Sequence, residues 1–137
     1  MHSNRLQACL DTVHAFFDAL DTHDNAKAQA VFLPDGVWER GGASLAGHAR
    51  IAEALAQRSA DRRTFHVVCN PIVKEQGADA ASVHFYLMAY EGVAGQPAPL
   101  QPIGIRRCVD QLRFDGKAWR IAHKSSQAHL PLPAAAP

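Results

Sequence analysis

The chain has 137 residues, 47% of them hydrophobic, with 14 basic against 13 acidic side chains and a formal charge of +1. That is the size of one ordinary domain with a single core, and the apolar content excludes a wholly disordered chain. Balanced charge leaves no basic face for nucleic acid, and no run approaches the ~20 apolar residues needed to cross a membrane.

The opening Met1-His2-Ser3-Asn4-Arg5 has no apolar run behind it of the kind a signal peptide carries. Residues 5–22 then read as an amphipathic helix, because Leu6, Leu10, Val13, Phe17 and Leu20 recur at three- and four-residue steps. Residues 25–32 fit a second, short helix capped by Asp24 or Asn25, which Pro34-Asp35-Gly36 ends with turn chemistry. Val37–Arg40 looks like a short strand, Gly41-Gly42 and Gly47 bracket a loop, and His48–Ser59 reads as a third helix.

From there the character changes. Thr64–Val73, Ala81–Tyr90, Ile103–Phe114 and Trp119–Lys124 are rich in β-branched and aromatic residues, with turn signals between them. Asp115-Gly116 marks a tight hairpin, and the segment from Gly92 to Pro102, with its prolines, a longer loop. Helices first and a strand meander afterwards is an α+β pattern. The expected organisation is one domain over 1–128, followed by a disordered Pro- and Ala-rich tail over 129–137.

Cys9, Cys69 and Cys108 are far apart and odd in number, which suits reduced core thiols in a cytoplasmic protein. The histidines form no HxH, HxxxH or HExxH spacing, and there is no Gly-rich phosphate loop, so neither a metal nor an organic cofactor is expected. Arg58, Arg62 and Arg63, the densest basic cluster, read as a solvated surface.

Two residues stand out as candidates for chemistry. Asp21 follows Leu20 and lies four residues after Phe17, on the border of the apolar stripe; it either faces the sheet or ends the helix in solvent. His66 shares a strand face with Thr64 and Val68, but both faces are apolar, so period alone does not say which is covered. His84 and Tyr86 share a face of the next strand with Met88 and Tyr90. His14, seven residues before Asp21, has a similar helical azimuth. Phe17 and Trp38 are apolar candidates for a pocket wall, and His123 and Arg106 or Arg107 could reach it from the last two strands. Asp110 near Arg107, Arg113 and Arg120 reads as a structural ion pair.

The ordered set of motifs resembles the SnoaL-like branch of the nuclear transport factor 2-like superfamily. It runs from Leu20-Asp21-Thr22-His23-Asp24 through Val31-Phe32-Leu33-Pro34-Asp35-Gly36-Val37-Trp38-Glu39 and Gly47 to His66-Val67-Val68-Cys69-Asn70. Gly77-Ala78-Asp79-Ala80, Arg107-Cys108-Val109-Asp110, Arg113, Asp115-Gly116 and Trp119-Arg120-Ile121-Ala122-His123-Lys124 complete it. The chain departs from the pattern at Cys108, where an aromatic is common, and at Lys124, where Arg is common.

The resemblance implies a strongly curved antiparallel sheet and three N-terminal helices around an apolar pocket, a cone-shaped α+β barrel. Residues 64–73 and 81–90 carry apolar or aromatic side chains on both faces, so a homodimer, or a trimer, using the outer face of the sheet is expected. In the dehydratase and dehydrochlorinase relatives, the residues matched here by His66 and Asp21 form a pair. The implied activity is therefore a cofactor-independent lyase or isomerase, dehydratase- or cyclase-like, acting on a small apolar cyclic or carbonyl compound. His66 would be the general base, Asp21 its orienting partner, and His84 or Tyr86 a donor to the developing oxyanion. Members without catalysis leave a ligand-binding or structural dimerisation domain as the alternative.

Overall fold

The computed structural model describes residues 2–132, and their side chains from Asn4 onward. Helix α1 spans His2–Asp21, α2 Asn25–Ala30 and α3 His48–Ala56; the strands are β1 Phe32–Arg40, β2 Ala43–Ala46, β3 Arg62–Glu75, β4 Ala80–Val93, β5 Pro102–Phe114 and β6 Trp119–Leu130. No helix among these residues is long and apolar enough to cross a membrane.

The buried stripe of α1 is Cys9, Val13, Phe16, Phe17 and Leu20. It is rotated slightly from the expected one, because Leu6 and Leu10 are only half-buried. The helix packs on β3, β4 and β6. It stops at Asp21 because His23 takes a left-handed φ of 57°, the local conformation that ends helices. Asp24 then caps α2, accepting from the Lys27 amide at 3.1 Å.

The six strands form one sheet in the order β2-β1-β6-β5-β4-β3. β3 to β6 are the expected antiparallel meander. The expectation of a wholly antiparallel sheet needs one correction: β1 joins β6 in parallel. The sheet is also open rather than closed into a barrel, with β2 and β3 at its edges.

Pro34-Asp35-Gly36 does not end a helix. It lies within β1, where the register against β6 shifts between Phe32 and Val37. Gly36 is needed there, since a Cβ would sit 2.8 Å from the Ile121 carbonyl oxygen. The bracketed loop contains β2, hairpinned to β1 across Gly41-Gly42. α3 is shorter than expected. β6 runs on to Leu130, so residues 129 and 130 belong to the sheet rather than to a disordered tail; residues 133–137 lie outside the described residues.

Strand alternation fixes what the helices see. On β4, Val83, Phe85 and Leu87 are buried on the concave side, so His84, Tyr86 and Met88 point the other way. On β5, Cys108, Asp110 and Leu112 are the buried set. On β6 the register against β5 shifts between Gln111 and Leu112, where Gln111 faces His123 and Leu112 faces Ile121. That extra residue reverses the alternation. Ile121 and Lys124 are consequently both buried, and Lys124 stands directly opposite Asp110.

Candidate active site

The last turn of α1 and the start of β3 come together at Asp21. Its Oδ1 accepts from His66 Nδ1 at 2.6 Å and from the Thr64 hydroxyl at 2.8 Å, and its Oδ2 accepts from the His66 backbone N–H at 3.0 Å. Three donors from two same-face residues of one strand hold a single carboxylate. The site also solves a helix-end problem. The α1 C-terminus carries free carbonyls and a partial negative charge, an unfavourable place for Asp21. Arg58, from the α3–β3 connection, donates to the Leu20 carbonyl at 3.1 Å and to the Thr64 hydroxyl at 3.4 Å, bringing a compensating cation.

With Nδ1 donating to Asp21, the other ring nitrogen, Nε2, is left for the cavity that His66 lines. Burial pushes the His66 pKa below its usual 6.5; the Asp21 hydrogen bond and charge oppose this, while Arg58 and Arg62 add to it. His66 is therefore a neutral imidazole at neutral pH, with its tautomer set by Asp21. Phe17 flanks it, with ring centroids 5.1 Å apart.

The cavity has a volume of about 520 Å³, within the range of small-molecule sites. Its apolar wall comprises Phe16, Phe17, Leu20, Trp38, Leu87 and Cys108. Phe16 packs edge-on against both Phe17 and Trp38, each at 5.2 Å, which fixes the ring positions. Burial pushes the Cys108 thiol up to about 11, so it is wall and not nucleophile.

Lys124 also stands in the wall. Its ammonium donates to both Asp110 oxygens, at 3.1 and 2.9 Å, and lies 4.5 Å from the ring centres of Phe16 and Phe17. Full burial pushes the Asp110 carboxyl above the usual range, and the Lys124 charge opposes that. Asp110 is thus an ion-pair residue as expected, but with Lys124 as its partner and not an arginine.

Of the expected site residues, Asp21, His66, Phe17 and Trp38 come together, and Phe17 and Trp38 line the cavity with His66. His14 does not join them; it is on the exposed side of α1. His84 and Tyr86 are on the convex face, His84 bonded to Ser82 at 3.1 Å and Tyr86 against His129. His123 faces away too, meeting Glu39 at 3.3 Å, whereas Arg106 lines the cavity. Arg58 and Arg62 also line it, which corrects their reading as solvated surface. Among the described residues, no three His, Cys, Asp or Glu side chains converge as a metal site.

The model of the SnoaL-like domain matches residues 2–125. The chain belongs to this SnoaL-like family. Solved structures share its fold at low sequence identity. An NTF2-like protein with a cystatin-like fold from Novosphingobium aromaticivorans is 17% identical, covers 96% of this chain and 88% of its own, and superposes with a TM-score of 0.78. ActVI-ORFA from Streptomyces coelicolor is 15% identical over 91% of this chain and 97% of its own, with a TM-score of 0.77. A ketosteroid isomerase-like protein from Erwinia carotovora is 18% identical over 92% and 97%, with a TM-score of 0.73. No curated protein matches the sequence. The SnoaL-like family includes isomerases and cyclases, and at these identities the structural likeness speaks to the fold alone.

Proposed function

We propose that this SnoaL-like domain is a cofactor-independent lyase or isomerase that removes a proton from carbon in a small, largely apolar cyclic or carbonyl compound. The observation that carries this is the 2.6 Å Asp21–His66 contact at the wall of a cavity, beside its apolar residues Phe17, Leu20 and Trp38. His66 Nε2 takes the proton, and the electron pair moves into the adjacent carbonyl as an enolate. The enolate then expels a β leaving group, as in dehydration, or is reprotonated at another carbon, as in isomerisation. Asp21 supports the imidazolium that forms. With His84 and Tyr86 on the other face, Lys124 takes their role as the donor to the developing oxyanion.

A generic carbon acid tests this without a known substrate. With 5-nitrobenzisoxazole, proton removal from C3 breaks the ring N–O bond and releases a coloured phenolate. The expected result is saturable turnover that rises with pH through a value below 6.5 and is then flat, because the neutral imidazole is the active form. His66→Ala should lose about 10²–10⁴-fold. A variant that keeps the wild-type rate would disprove the role of His66.

We also propose that a second copy of the chain covers the convex face. Phe65, Ile72 and Ile103 are 60%, 58% and 56% exposed there, beside Tyr86, Met88 and Tyr90, more apolar surface than a monomer usually leaves in water. The three unpaired cysteines suit a reducing compartment such as the cytoplasm.

A further inference from the structure

The sequence is balanced in charge, but the cavity is not. Arg40 at the end of β1, Arg58 before β3, Arg62 at its start and Arg106 on β5 all line it, together with Lys124. Glu39 is the one acid among the lining residues, and it already meets Ser44 and His123. Lys124 is neutralised by Asp110. The four arginines are far less well matched.

Arg40 lies over the Trp38 ring at 5.0 Å and, like Arg58 and Arg106, has no carboxylate in ion-pair contact among the described residues. Arg58 reaches a carbonyl and a hydroxyl, and Arg106 reaches Ser126. Arg62 pairs with Glu91 at 2.8 Å, yet its Nε is buried without a hydrogen-bond acceptor. The charges also oppose one another: Arg62 helps to lower the pKa of both Arg40 and Arg58, after burial. Like charges gathered from three separate parts of the chain around one concavity cost stability unless an anion joins them.

We propose that the cavity binds an apolar molecule carrying an anionic group, a carboxylate or a phosphate, gripped by Arg40 and Arg62, with Arg106 adding positive charge to the same cavity. The planar guanidinium fork matches either anion with paired hydrogen bonds. The apolar body then rests on Trp38, Phe17 and Leu20, next to His66. This names the substrate class for the reading above and rests on the same cavity, but it concerns binding and not proton transfer. It narrows the expected apolar compound to an amphiphilic one.

The test is calorimetric titration at low salt with three probes of the same shape: 2-naphthoate, 2-naphthyl phosphate and the neutral 2-naphthamide. At least one anion should bind about tenfold tighter than the amide, the amount a charge-assisted contact supplies. Added salt should shrink that advantage. The double variant Arg40→Met/Arg62→Met should abolish it, so that neither anion binds tighter than the amide. Whichever anion binds tighter identifies the head group. Equal binding of all three probes, no binding of either anion, or an anion preference that survives the double variant would overturn the proposal. The salt series on the wild-type protein remains decisive even if the double variant misfolds. His66→Ala should keep the anion preference, so a failed carbon-acid assay and a failed anion site are read separately.

Discussion

Lys124→Met removes an ammonium from one of the most buried places in the domain. Asp110 is fully buried, and both its oxygens accept from Lys124 Nζ, at 3.1 and 2.9 Å. Methionine keeps much of the alkyl length against Phe16 and Phe17 but leaves the carboxylate without its cation. Removing one partner of a buried pair costs about 3–5 kcal/mol, against a total of about 5–15 kcal/mol for a domain. With a urea dependence of about 2 kcal/mol per M, the midpoint should fall by about 1.5–2.5 M. The loss should also depend on pH. Burial already holds the folded Asp110 pKa above its ordinary value, and without Lys124 it rises further. Between the unfolded and folded values the native state then binds more protons than the unfolded state, so stability falls as pH rises. The gap between variant and wild type should be widest at pH 7–8 and shrink toward pH 5. Asp110→Leu combined with Lys124→Met should recover most of the loss, since an apolar pair leaves no charge stranded. Urea denaturation followed by far-UV circular dichroism measures all three proteins. A single-variant loss under about 1 kcal/mol at pH 7, or one that does not change with pH, would refute the reasoning.

The remaining predictions concern the dyad and the convex face. In a proton NMR titration the His66 ring should have its midpoint below 6.5, and Asp21→Asn should move it lower still, because Asp21 is what pulls it upward; a midpoint at or above 6.5 contradicts the neutral-base assignment. The Asn variant should also lose activity in the carbon-acid assay while staying folded, since an amide can present the wrong group to Nδ1 and cannot support an imidazolium. Light scattering at micromolar concentration should report a dimer, and Phe65→Lys should shift it toward monomer by placing a charge on the 60% exposed position. A wild-type monomer would remove the convex-face interface.

That Asp21 and His66 pair across 45 residues was implied only by the family resemblance. Their separate positions were legible in the sequence because they are local: the border position of Asp21 follows from helical period, and the shared face of Thr64 and His66 from strand period. The stripe on α1 and the hairpin at Asp115-Gly116 were legible for the same reason, as was the four-strand meander. What decided the rest was non-local. β4 has apolar or aromatic side chains on both faces, and its sequence does not say which face α1 covers; the fold buries Phe85 and Leu87 and turns His84 and Tyr86 away. The register shift on β6 puts Lys124 inward and His123 outward, reversing what simple alternation from Ile121 gives, and only pairing with β5 reveals it. The parallel contact of β1 with β6 joins segments far apart in the chain, Phe32 with Ile121 and Trp38 with Lys124, and no local pattern encodes it. The arginines are the clearest case. Arg40, Arg58 and Arg62 look like ordinary surface charges along the chain, Arg58 and Arg62 sit in one short polar run, and Arg106 was expected only as one of a pair that could reach the pocket. Tertiary folding brings all four to one concave wall, because a curved sheet converges residues that sequence distance keeps apart. Sequence period determined which side chains share a face, and chain packing decided which faces meet.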